Sequence, residues 1–163
     1  MYDRVKRLVD GLSSAVMIVC NVVLVIMTGV IVMLVTTRNF MGFSYAWSEE
    51  LTRYLLVWLS MLGAAVLLRR DDHIALDLLP NALPSKARVG LVLALRLPVL
   101  AFLALLLQQS WLTAIARATT RAPALGVSIS WAYAAIPVMA LLMLVFGAFN
   151  VWADLRRLRG LDA

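Results

Sequence analysis

Three stretches without a charged side chain, residues 11–37, 97–116 and 122–153, constrain this chain more than any other feature of it. A helix that crosses the hydrocarbon of a bilayer needs about 20 consecutive apolar residues. All three stretches reach that length, and each exceeds the core of a secretory signal peptide, about 7–15 residues. Composition points the same way: 63% of the 163 residues are hydrophobic, against about 45–50% in soluble domains. The expected fold class is all-α integral membrane, with residues 1–163 forming a single membrane domain. The first stretch follows Arg4, Lys6 and Arg7, and no small-residue cleavage site follows it, so it reads as an uncleaved span.

A fourth apolar segment is framed by charge. Residues 47–79 read WSEELTRYLLVWLSMLGAAVLLRRDDHIALDLL. Arg53 and Arg69 stand too close together for the residues between them to cross alone. The helix must run back to about Trp47, which brings Glu49, Glu50 and Arg53 into the interfacial zone. Four transmembrane helices are therefore expected, at about 13–37, 47–68, 89–111 and 128–151. The first is about 37 Å long, enough to cross with some tilt. A short amphipathic cytoplasmic element is expected between the second and third, with Ile74, Leu78 and Leu79 on one face. Pro80 and Pro84 break it, and Pro84 suits the first position of the next helix.

Lysine and arginine set the orientation. Arg4, Lys6 and Arg7, then Arg69, Arg70, Lys86 and Arg88, then Arg156, Arg157 and Arg159 fall on one side of four spans. Only Arg38, Arg117 and Arg121 fall on the other. Both termini and the middle loop are expected in the cytoplasm, and loops 38–47 and 112–127 outside. Tyr45, Trp47, Trp111, Trp131 and Tyr133 sit at outer edges and Trp152 at an inner edge, where aromatic belts form. Trp58 falls mid-span and is expected to pack against another helix. The net charge of +6 flanks the spans, so it reads as orientation and lipid contact rather than nucleic-acid binding.

The remaining polar residues have two readings each. Glu49 and Glu50 precede Arg53 by four and three residues and share a helix face with it. They suit a first turn capped by Ser48, or they frame an Arg53 that contacts a partner subunit. Arg69 complements the negative end of its helix. His73 and Asp77 are four apart and can hydrogen-bond. No second histidine is present and Cys20 is the one cysteine, so a metal site is not expected. Arg96 either snorkels inward or pairs with Asp72, Asp77 or a carboxylate of another chain. Asn21, Gln108 and Gln109 are expected to bond between helices. Ser60 and Ala64, beside Gly63, would let a helix approach closely.

Several functions are disfavoured. One histidine cannot supply paired haem ligands, one cysteine cannot run thiol oxidation, and no P-loop or protease constellation is present. An independent four-span proton-coupled transporter would need a carboxylate within the membrane. All nine acids lie outside the expected hydrocarbon cores, Glu50 nearest. An accessory subunit without an enzymatic or cofactor role is the better reading, the small proton-coupled transporter its alternative.

The framed segment also resembles a known signature, that of the small membrane subunit (DctQ type) of tripartite ATP-independent periplasmic (TRAP) transporters. The matching residues are Glu49, Glu50, Arg53, Trp58, Leu62, Gly63, Ala64, Ala65, Arg69, His73, Ile74 and Asp77, with Leu76 where a valine is frequent. ALGVSISWAYAAIPVMALLM is similar to that family's fourth span. The resemblance implies a bacterial inner-membrane scaffold that braces a large multispanning subunit. It implies a periplasmic binding protein that captures organic anions, carboxylates or acid sugars, and sodium sites in the large subunit, with no catalytic, cofactor or metal site in this chain. Glu49, Glu50, Arg53, Trp58, Gly63, Arg69, His73, Asp77 and Arg96 become candidate interface or structural residues, and Arg38, Arg117 and Arg121 candidate contacts to the binding protein.

Overall fold

The structure, a computed structural model, describes residues 2–43, 45–70 and 85–158. Five helices account for nearly all of them: α1 (Tyr2–Met41), α2 (Ala46–Arg70), α3 (Ser85–Ala116), α4 (Ser130–Tyr133) and α5 (Ala135–Leu158). Four stretches of helix are long and apolar enough to cross a membrane: Arg4–Met41, Ala46–Arg69, Leu95–Ala116 and Ser130–Ala153. The all-helical, four-span architecture read from the sequence is the one observed. The short amphipathic element expected around His73 and Asp77 falls outside the described residues.

Helix ends differ from expectation for local reasons. α1 has 40 residues, about 60 Å, and so runs well past both ends of the charge-free stretch that predicts it. Gly42, at φ +74°, takes the left-handed position that ends it. The fourth span is α4 followed by α5, with Ala134 between them still in helical backbone. Pro137 has no N–H to offer the carbonyl of Tyr133, while the flanking bonds Ala134 N–H to Ser130 O (2.8 Å) and Val138 N–H to Ala134 O (3.2 Å) persist. The interruption thus falls where Pro137 withholds a donor.

Among the described residues the helices pack as an open row, α1 on α2, α2 on α5 and α5 on α3. Val9, Ser13 and Val16 recur along α1 at helical spacing and are buried against its neighbours, while Leu8, Ile18 and Val25 face outward. Lipid tails are as apolar as leucine, so helices in a bilayer associate through close packing rather than through exclusion of water. Ala65, Ala135, Ala140 and Phe146 are fully buried. Ala65, Met139, Ala140, Phe146 and Phe149 form the main core with Val9. Hydroxyls within the spans return to their own helix: Thr28 to Leu24 O, Thr36 to Val32 O and Ser60 to Leu56 O.

Close approach does not occur at Gly63. A methyl group built there meets no atom within 4 Å, whereas one at Gly147 would lie 2.7 Å from Leu100 Cδ2 and 3.9 Å from Leu68 Cδ2. The tight crossing is therefore between α5 and α3. Gly147→Leu is expected to lower stability by about 1–2 kcal/mol through overpacking. Gly147→Ala should cost less, because the terminal methyl of Leu100 can rotate away. Thermal unfolding in detergent checks both, and equal melting temperatures for wild type and Gly147→Leu would contradict the crossing. Asn21, Gln108 and Gln109 are exposed rather than set between helices of this chain, so the expected interhelical bonds are not made here. The helical row leaves those side chains on its outer faces.

Candidate functional site

The two charged ends of α2 are where the sequence concentrates its candidates, and the structure gives each a distinct job. At its N-terminal end α2 begins at Ala46, one turn earlier than a Ser48 cap would require. Ser48 is fully buried and its hydroxyl donates to Tyr45 O at 2.6 Å, so it closes the turn instead of capping the helix. The rings of Phe43, Tyr45 and Trp47 pack in series, with centroids 5.3 and 6.1 Å apart.

Glu50 leaves its own helix. Its Oε2 accepts the backbone N–H groups of Ala124 and Leu125, both at 2.9 Å, and its Oε1 accepts the Tyr54 hydroxyl at 2.9 Å. Glu49 and Arg53 are exposed on the same helix. Glu50 thus joins α2 to the connection between α3 and α4, which is itself folded. Ala122 N–H bonds Val127 O at 2.8 Å and Gly126 N–H bonds Ala122 O at 2.9 Å. Gly126 takes φ +68°, a backbone region that side chains disfavour. Arg121 donates to Gly126 O at 2.9 Å, and Arg117 lies 5.5 Å from the Tyr133 ring centroid. Ser128 and Ser130 donate to the last carbonyls of α3, Ala118 O at 2.8 Å just beyond its end and Ala114 O at 2.6 Å within it. Arg38 is exposed in the last turn of α1. Of Arg38, Arg117 and Arg121, two are therefore set around one hairpin, and both remain exposed.

Trp58 sits between the two ends. Its indole N–H donates to Trp131 O at 3.3 Å, and the Trp131 ring also meets Tyr54 at a centroid distance of 5.9 Å. The mid-span tryptophan is an inter-helix contact between α2 and α4.

At the C-terminal end of α2 Arg69 gathers three helices. One nitrogen donates to Asp10 Oδ1 on α1 at 2.6 Å and another to Asn150 Oδ1 on α5 at 3.0 Å. Its guanidinium carbon lies 4.8 Å from the Phe149 ring centroid. Asn150 in turn donates to Leu68 O at 3.1 Å, using one of the carbonyls that a helix end leaves without a partner. The residues around Arg69 predict a complement to its helix end, and the resemblance adds an interface or structural role; Asp10 and Asn150 are not among the expected candidates. The signal for Asn150 existed, since an amide inside the charge-free run 122–153 must find a partner. Arg96 is half-buried on α3.

Among the described residues no group of three His, Cys, Asp or Glu side chains comes together. What the geometry provides is hydrogen bonding and charge pairing that stiffen a row of spanning helices at both of its ends. Those features define a multi-pass membrane component that is apolar on its broad faces. The chain belongs to the DctQ component family of tripartite ATP-independent periplasmic transporters, whose model matches residues 27–157.

Two of the relatives it matches are named as small permease proteins of TRAP transporters. It is 32% identical over 107 residues to the sialic acid TRAP transporter small permease protein SiaQ of Vibrio cholerae, covering 66% of this chain and 62% of that one. It is 26% identical over 107 residues to a putative TRAP transporter small permease protein of Haemophilus influenzae, covering 66% of each. A third match, 32% identical over 117 residues, is to the sialic acid TRAP transporter permease protein SiaT of Haemophilus influenzae, covering 71% of this chain but 19% of that one.

Proposed function

We propose that this chain is the fixed bracing subunit of a three-part, sodium-coupled uptake system for an organic anion, a carboxylate or an acid sugar such as sialic acid. It would sit in a bacterial inner membrane with both termini cytoplasmic. It would bind a large multispanning permease along its row of helices and help dock a periplasmic binding protein on its outer loops. The observation that carries the reading is Asn21, halfway along a 40-residue apolar helix and exposed. A bare amide in hydrocarbon is costly, and a neighbouring helix that accepts its bonds removes the cost. Exposed Arg53, toward the outer end of α2, adds a second polar group on the outer surface of the row. The match to SiaT supports the same partner: there the equivalent segment is a fifth or less of a much longer permease.

Co-expression with the large permease tests this. The tagged chain is expected to co-purify with it, and Arg53→Ala to lower the yield of complex severalfold. Uptake into liposomes should require both chains, the loaded binding protein and a sodium gradient. Transport by this chain alone would establish the small independent transporter instead.

A further inference from the structure

The hairpin at residues 117–129 is held internally by its own bridge between Arg121 and Ser128, by Ala122 and Val127, and by the Arg121 guanidinium on Gly126 O. Among the described residues, Glu50 is the side chain whose hydrogen bonds reach its tip from another helix. Two successive N–H groups, Ala124 and Leu125, converge on one carboxylate oxygen at 2.9 Å each. Such a pair of backbone donors forms a concave anion site, and here the anion is supplied by the protein itself. The other oxygen is occupied by the Tyr54 hydroxyl. The carboxylate is thereby satisfied on both sides, and the tip is tied to the rigid start of α2. Pro123, Ala124 and Val127 remain exposed on that tip, with Arg117 and Arg121 exposed around it.

We propose that Glu50 is a positioning residue: it pre-shapes the tip 122–127 as the surface on which an acidic-rimmed soluble binding protein lands. The occupant follows from charge, since the cations around the tip are arginines while the acid nearest it is consumed by the clasp. The proposal rests on the docking role proposed above. A loop ordered before the encounter spares the complex the entropy of ordering it afterwards, so the clasp acts on the affinity of docking rather than on the carriage of solute.

The test uses the full complex with its large permease in liposomes. Two quantities are read: hydrogen exchange at the amides of Ala124 and Leu125, and the concentration of loaded binding protein that gives half-maximal uptake. Glu50→Ala should speed exchange at those two amides and raise the half-maximal concentration about tenfold, with the maximal rate falling far less. Glu50→Gln keeps an acceptor oxygen and should restore most of both, and Tyr54→Phe should change each by less than about twofold. If Glu50→Ala does not assemble, Ala124→Pro, which removes one of the two donors and leaves the carboxylate in place, is read instead and should speed exchange at Leu125 and raise the half-maximal concentration in the same direction. Unchanged exchange overturns the clasp. Faster exchange with an unchanged half-maximal concentration overturns the positioning role. Arg117→Glu separates this from failure of docking itself: it should raise the half-maximal concentration while leaving the amides protected. If it too changes nothing, the docking role falls.

Discussion

Arg69→Ala is expected to lower the stability of the folded chain by about 3 kcal/mol, the largest effect of any single polar substitution. Three losses combine. The Asn150 amide oxygen loses its donor while buried, which costs about 1–3 kcal/mol. The stacking of the guanidinium on Phe149 is lost, about 1 kcal/mol in a partly desolvated site. The ion pair adds little, because the Asp10 side chain is 50% exposed and solvent screens it. Asp10→Ala should therefore cost only about 0.5 kcal/mol, and that asymmetry distinguishes a three-helix clamp from a simple salt bridge. Arg69→Lys keeps the charge but loses the planar fork and the stacking, and should recover less than half. Thermal unfolding in lipid nanodiscs reads all three variants. An Arg69→Ala protein as stable as wild type would show that α1, α2 and α5 are held together around Arg69 by apolar packing alone.

Phe146→Ala is expected to cost about 2–3 kcal/mol. In a soluble core the same change costs about 3–5 kcal/mol, part of it from transferring the ring back to water. In a bilayer the unfolded reference is lipid, as apolar as the ring, so the transfer part falls away and the cavity part remains. Phe146 is fully buried between Ala65, Met139 and Ala140, and helices pinned at both ends by Glu50 and Arg69 cannot close over the gap. Phe146→Leu should therefore recover most of the loss by refilling part of the volume. The same unfolding measurement applies, and an Ala variant that loses nothing would mean the helices do collapse. The outward-facing Val25 is the matching control: it lies on the opposite surface of α1, 71% exposed, and Val25→Ala should leave stability unchanged.

The four spans were legible in the sequence because a bilayer imposes its rules on each segment separately. Length and freedom from charge are properties of residues 11–37 or 122–153 alone, and no partner is needed to read them. The motif around Glu49, Arg53 and Arg69 pointed to the family for the same reason: it is local. What each motif residue does was not legible. Glu50 reads as a helix-dipole acid beside Arg53, yet its bonds go to Ala124 and Leu125. Arg69 reads as an end cap, yet it binds Asp10 and Asn150. The small residues misled in a similar way, since Gly63 is open and Gly147 is the close crossing.

By itself, then, the sequence determined how many times the chain crosses and which family it resembles, because hydrocarbon selects apolar length one helix at a time. The tertiary structure alone decided that α1, α2, α5 and α3 stand in an open row clasped at its two ends. Which carboxylate meets which amide across dozens of residues depends on helix rotation and neighbour order, and in a medium where every apolar face is equally content, only the packed side chains choose between them.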